Sequence, residues 1–244
     1  ILYSHNSFYL IISLLIVLGG IGFPILMSVK RILSYYGSEL LHKAFRKSRP
    51  RSRYMHIVDI NTKIVLYSSL VLILLGTIGI ALFEWNGAFA SFSAGEKIVQ
   101  SLFNAVAPRT AGFNSVSLSD FSRVTIILYL VLMWIGGGSQ STAGGIKVNT
   151  FVVALASLKS LIKGEHTTTL FNREITYSSI RRALVVVFGS ICIIALFYVA
   201  LLLLEPSIPS IDLLFESVSA FSTVGSSLGI TPLLGDISKV LLVV

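Results

Sequence analysis

Apolar residues along the chain gather into long stretches at 8–29, 64–83, 124–158 and 183–204, and a fifth opens at Ile237. A helix rises about 1.5 Å per residue and a hydrocarbon core is about 30 Å thick, so each complete stretch is near or above the ~20 residues that a crossing helix needs. The pattern predicts an integral membrane protein made of α-helices. Two more polar stretches, 84–123 and 205–239, interrupt it, and each holds a short amphipathic segment, at 98–108 and 213–222. A helix of about ten residues cannot cross, so it is expected to dip into the membrane and return.

The stretch that begins after Arg123 is too long rather than too short. Straight helix from 123 to 158 would measure roughly 54 Å, far beyond the hydrocarbon thickness. It should therefore break, and "MWIGGGSQSTAGGIK" at 133–147 sits near its middle. The N–H and C=O groups freed by such a break have to face protein or water, because lipid offers them no partner.

Charge turns the spans into a topology. Nine of the 19 lysines and arginines fall at 30–63 and six more at 147–182, which places both segments in the cytoplasm, while seven of the 11 acidic residues fall on the other side. The formal net charge of +8 thus reflects topology first. The basic loop "KAFRKSRPRSR" at 43–53 can in addition touch anionic lipid or an acidic partner protein; nucleic acid is not an expected partner. With 54% hydrophobic and 12% charged residues and a mean hydropathy of +0.85, the composition lies far from that of a soluble domain. A single Cys192 and four scattered histidines, His5, His42, His56 and His166, exclude a disulfide scaffold and a zinc site. Stretch 8–29 is too long for a signal-peptide core and reads as a span. A start at Ile1 and an end inside "KVLLVV" mark the sequence as an expected piece of a longer protein.

The two external stretches repeat each other. Each starts with an acid just past a span, passes "LF" (Leu102–Phe103 and Leu214–Phe215) into the short segment, reaches Thr-small-Gly, and returns through matching sequences, "DFSRV" at 120–124 and "DISKV" at 236–240. Asn104 and Glu216 take equivalent places on the short segments, positioned either to hydrogen-bond the backbone that follows or to face water. Asp120, Arg123, Asp236 and Lys239 mark the outer interface.

After the first short segment come Thr110, Ala111, Gly112, Phe113 and Asn114, and after the second Thr223, Val224, Gly225, Ser226 and Ser227. A potassium filter of sequence TVGYG replaces the ion's water with rings of backbone carbonyls, and "TVGSS" keeps its first three residues. Glycine suits such a site because neighbouring carbonyls can point the same way only if the backbone enters regions closed to residues with a Cβ. Gly112 and Gly225 are the pivotal positions, and Thr110 and Thr223 can add a hydroxyl. One Thr-x-Gly alone can be a plain turn; two in matching repeat positions favour the filter.

"APRTAGFNS" (107–115), "GGGSQSTAGGIK" (136–147) and "SAFSTVGSSLGITP" (219–232), in this order, resemble the Trk/Ktr/HKT superfamily of potassium uptake proteins, above all the bacterial Ktr membrane subunit. The resemblance implies an all-α integral membrane protein in which span, re-entrant pore helix, span units surround a pseudo-fourfold ion pore. By that pattern 1–63 holds the closing span of the second unit ("GGIGFPI") and the basic loop, 64–163 the third unit with an intramembrane gating loop, and 164–244 a cytoplasmic linker and the fourth unit, cut short in its last span. It implies K+ at the filter carbonyls, Na+ or H+ as coupling ion, no covalent cofactor, and plasma-membrane localisation in the lipid bilayer. It further implies a homodimer and a cytosolic nucleotide-binding regulatory subunit docked on the basic loops. The gating loop would obstruct the pore below the filter, with Gly136, Gly137, Gly138, Gly144 and Gly145 for flexibility, Ser139, Gln140, Ser141 and Thr142 for polar contacts, Ala143 within it, and Lys147 as a cytoplasm-facing anchor.

Other readings of these residues are weaker. A nucleotide P-loop needs Gly-Lys-Ser/Thr after a strand, and Ile146 intervenes here. Gly136 and Gly144 can also serve close helix packing. A surface loop at 133–147 would turn the following basic segment outward. A secondary transporter shares repeats and discontinuous helices but binds solute with side chains near the midplane, and no acid is evident inside the spans. An enzyme would need a nucleophile beside a base, and the histidines all fall in or near loops.

Overall fold

The computed structural model describes residues 6–44, 60–109, 111–165 and 167–243, with 36–44 as backbone only. Thr110, most of the basic loop at 43–53, and His5, His56 and His166 lie outside the described residues. The described chain forms α1 (Asn6–Ile21), α2 (Phe23–Ala44), α3 (Ile60–Glu84), α4 (Ala94–Val106), α5 (Arg123–Trp134), α6 (Val148–Ile162), α7 (Tyr177–Leu204), α8 (Ser210–Phe221) and α9 (Asp236–Val243). The all-α expectation needs one addition, a two-residue antiparallel pair, β1 (Thr169–Leu170) and β2 (Arg173–Glu174). Phe171 and Asn172 make its turn, both at positive φ (50° and 59°), as a tight hairpin of this twist requires.

By length and composition α3 and α7 can cross a membrane, and the bent pair α1 and 23–35 counts as a third span if taken together. Their polarity is the reverse of a water-soluble helix. Leu82 on α3 and Phe188 and Leu203 on α7 are 73%, 69% and 79% exposed, while Ser69 and Ser190 on the same helices are buried. Apolar surface outside and small hydroxyls between helices suit an apolar solvent, where close packing and hydrogen bonds rather than hydrophobic burial hold helices together.

Two spans expected from hydropathy are discontinuous. The stretch 124–158 breaks into α5 and α6 around a non-helical 135–147. The stretch 8–29, expected as one helix, turns through 103° between α1 and α2. Gly22 sits at the bend with φ +94°, and Pro24 explains why the helix yields there: it has no N–H to give the Gly20 carbonyl one turn before it. The Gly138 N–H takes that carbonyl instead, at 2.7 Å, so the two breaks satisfy each other.

The short helices are held in equivalent settings. Helix α4 packs on α3 and on the preceding α1, and α8 packs on α7 and on the preceding α5. One continuous core joins them, with Phe89, Phe121, Tyr129 and Met133 against Phe215 and Val218. The acid closing each long helix staples the return of the chain. Glu84 accepts from the Ser122 N–H at 2.9 Å and the Thr125 hydroxyl at 2.5 Å; Glu205 accepts from the Gly235 N–H and the Ser238 hydroxyl, both at 2.7 Å. The Gly235 N–H first, then the Ser238 hydroxyl, hold the Glu205 carboxyl below the usual carboxylate range. Ser122 and Ser238 are the matched serines of the repeat.

Glu84 is 1% exposed, so losing its carboxylate leaves buried donors without acceptors. Glu84→Ala is expected to destabilise the full-length protein by about 2–4 kcal/mol, and Glu84→Gln by less because one acceptor oxygen remains. Thermal unfolding in detergent would show equal midpoints for both variants and the parent if the staple is idle.

Candidate functional site

Each short helix delivers its carboxyl end to a Thr-x-Gly segment. Helix α4 starts at a capping box, with Glu96 accepting from the Ser93 N–H at 2.8 Å, and runs through a single 3₁₀ turn, Ala107–Arg109. The Ala107 carbonyl then accepts from both Ala111 and Gly112, at 3.0 and 3.2 Å. At the end of α8 the Ser219 and Ala220 carbonyls accept from Val224 and Thr223, both at 3.0 Å. Helix carboxyl ends carry partial negative charge, so two of them meeting at one place favour a cation there.

They do meet. A Cβ on Gly112 would stand 2.1 Å from the Val224 carbonyl oxygen, so the two segments approach as closely as backbones can. Gly112 and Gly225 have φ of +65° and +78°, and Thr223, a residue with a Cβ, also enters the left-handed region at +51°. Along the second segment Thr223 and Gly225, both at positive φ, are exposed while Val224 and Ser226 are buried. Ala111 and Gly112 are half-buried, Phe113 and Asn114 exposed, Ser227 half-buried; Thr110 lies outside the described residues.

Behind the segments the repeat is again visible. Asn104, fully buried, donates to the Ser115 hydroxyl at 2.8 Å; Glu216, 6% exposed, accepts from the Ser227 hydroxyl and, at 2.9 Å, from that of Thr231. Both pairs span 11 residues. The two equivalent positions thus bind side chains just beyond the Thr-x-Gly backbone and do not face water. Glu84 and Glu216 are buried in the protein outside the expected spans, one at the end of α3 and one on α8. Tyr129 of α5 stacks on Phe215 at 6.0 Å and sits beside the Ser226 side chain, neither hydroxyl reaching hydrogen-bond geometry.

The loop between α5 and α6 lies against the second segment. A Cβ on Gly144 would be 2.1 Å from both the Ser222 carbonyl oxygen and the Thr223 hydroxyl oxygen. A narrow neck closes the loop: Gly136 N–H to the Ile146 carbonyl at 2.9 Å, Ile146 N–H to Trp134 at 3.0 Å, and Val148 N–H to Gly137 at 3.0 Å. Gly137, Gly138 and Ala143 are buried, Ser139, Ser141, Gly144 and Gly145 half-buried, and Gln140, at φ +60°, is exposed with Thr142. Lys147 folds back to donate to the Ala143 carbonyl of its own loop, so its half-buried ammonium anchors the loop to itself.

Four contributing residues escape a reading of the sequence. Gly20 and Gly22 meet the loop across more than a hundred residues, Tyr129 looks like any apolar helix residue, and Arg109 hides inside the first motif. Arg109 alone carried a signal, a cation at the end of a short segment expected to dip into the membrane, where a charge by default marks function.

The family described as cation transport protein, TrkH, matches residues 2–244. The chain belongs to this family. It is 35% identical over 96% of its length to Ktr system potassium uptake protein B of Bacillus subtilis (strain 168), covering 48% of that protein, and 33% identical over 94% to the protein of the same name from Vibrio alginolyticus, covering 47%. Potassium/sodium uptake protein NtpJ of Enterococcus hirae is 31% identical, with 100% of this chain and 51% of that protein covered. The chain thus spans about half the length of these TrkH-family relatives. Its fold matches the crystal structure of the potassium transporter TrkH from Vibrio parahaemolyticus with a TM-score of 0.64 at 18% identity, over 98% of this chain and 48% of that one.

The two pivotal glycines differ in what a side chain would meet. A Cβ on Gly225 finds nothing within 4 Å, whereas on Gly112 it strikes backbone. Gly112→Ala is therefore expected to destabilise the full-length protein by about 1–3 kcal/mol more than Gly225→Ala; equal unfolding midpoints would contradict the contact between segments.

Proposed function

We propose that the chain is the C-terminal half of the ion-conducting subunit of a potassium uptake system in the plasma membrane, spanning it several times with 30–63 and 147–182 on the cytoplasmic face. Residues 64–163 and 164–244 form the third and fourth of four pore units, and 1–63 closes the second. Single-file K+ sheds its water against backbone carbonyls of 110–114 and 223–227, and 136–147 obstructs the path beneath. The observation that carries this reading is the meeting of Gly112 with the Val224 carbonyl, at the carboxyl ends of two short helices and directly against Gly144. The stepwise packing of α4 on α1 and of α8 on α5 supports a ring of units around one axis.

The ion follows from the same features and from the relatives. Two are named potassium uptake proteins and a third a potassium/sodium uptake protein, names that suit K+ as the transported ion, with Na+ or H+ as the coupling ion. Conduction needs no covalent step and no bound cofactor. The membrane subunit works as a homodimer, and a nucleotide-binding protein regulates it from the cytoplasmic basic loops, as the word "system" in the relatives' names suits.

Growth of a strain lacking its own potassium uptake, carrying the full-length gene, tests the reading. Rescue at low potassium is expected, and Gly225→Ser is expected to admit sodium because a Cβ at φ +78° disturbs the carbonyl alignment. Deleting 138–143 should raise flux with ion preference unchanged. Unaltered selectivity in Gly225→Ser would remove the filter; no rescue by protein present in the membrane would favour a secondary transporter, to which the broken helices also belong.

A further inference from the structure

Arg109 is 8% exposed, and among the described residues no carboxylate lies within ion-pair distance of it. Its guanidinium donates instead to two neutral acceptors on different elements, the Ser69 hydroxyl of α3 at 3.3 Å and the Gly136 carbonyl at 3.2 Å, while its Nε has no partner. A buried guanidinium without a counter-charge is unfavourable, so its place here depends on the acceptors it reaches. Gly136 is not an arbitrary acceptor. It follows the carboxyl end of α5, where freed carbonyls carry partial negative charge, and its own N–H already closes the neck of the loop on Ile146. The neck has no slack, since a Cβ on Gly136 would lie 1.9 Å from the Gly144 carbonyl oxygen. At its other end Arg109 directly precedes Thr110.

We infer that Arg109 is a positioning residue that clamps the neck of the 135–147 loop to the start of the first Thr-x-Gly segment, holding the loop in its obstructing position. This rests on the proposed role of that loop as a gate. Release of the clamp frees the neck to move with the rest of the loop; with the clamp in place only the residues beyond the neck can shift. Of the two contacts, that to Gly136 does the work, and Ser69 aims the planar fork at it.

The test is potassium influx into proteoliposomes holding the full-length protein, measured for Arg109→Gln, for the 138–143 deletion, and for the two combined. Arg109→Gln should raise flux about tenfold, the equilibrium shift that goes with losing one hydrogen bond from a charged donor. The deletion should raise it too, and adding Arg109→Gln to the deletion should raise it no further, because the obstructing residues that the clamped neck carries are then gone. Raised flux from the deletion with parental flux in Arg109→Gln overturns the clamp alone, as does an equal gain from Arg109→Gln in both backgrounds. A deletion that leaves flux unchanged overturns the gate and the clamp with it. Should Arg109→Gln not reach the membrane, Ser69→Ala takes its place: a smaller rise in flux, absent in the deletion background, supports the clamp, and parental flux overturns it.

Discussion

A backbone N–H or C=O taken out of a helix in apolar surroundings has to find a partner, and much of this structure follows from that requirement. Among the described residues two helices are interrupted, at Gly22 and between Trp134 and Val148, and one interruption supplies a partner to the other. Pro24 strips the Gly20 carbonyl of its helical donor, and the Gly138 N–H supplies one from the other break. The loop 135–147 closes its own neck with backbone bonds and leaves the Gly136 carbonyl to Arg109. Irregular backbone persists here because irregular backbone meets it.

That constraint explains the concentration of small residues. Gly112 faces the Val224 carbonyl, Gly144 the Ser222 carbonyl, and Gly136 the Gly144 carbonyl, each so closely that a single methyl group would collide. The glycines of the loop therefore act as spacers at least as much as hinges. Ile135 to Gly138 are all buried, and the Gly136 and Gly138 N–H groups are held by the Ile146 and Gly20 carbonyls.

The internal repeat is a repeat of supports as well as of shape. Glu84 and Glu205 staple the matched returning segments, and Asn104 and Glu216 each hold a serine 11 residues on. The two halves are not chemically equal, because an amide stands where the other unit has a carboxylate.

The helical spans, the two short helices, the break near residue 140 and the pairing of "TAGFN" with "TVGSS" were all legible in the sequence, because hydropathy, length and repetition are local properties. Local signals did not fix the 103° bend in 8–29, since Pro24 only leaves the Gly20 carbonyl without a helical donor and the partner that takes it, the Gly138 N–H, lies more than a hundred residues away. Nor could they show that Gly112 touches Val224, that Glu216 is buried, or that Arg109 reaches Gly136 across 27 residues. Those depend on which backbones are brought within a few ångströms of each other, and only the packing of α4 and α8 between their neighbours decides that.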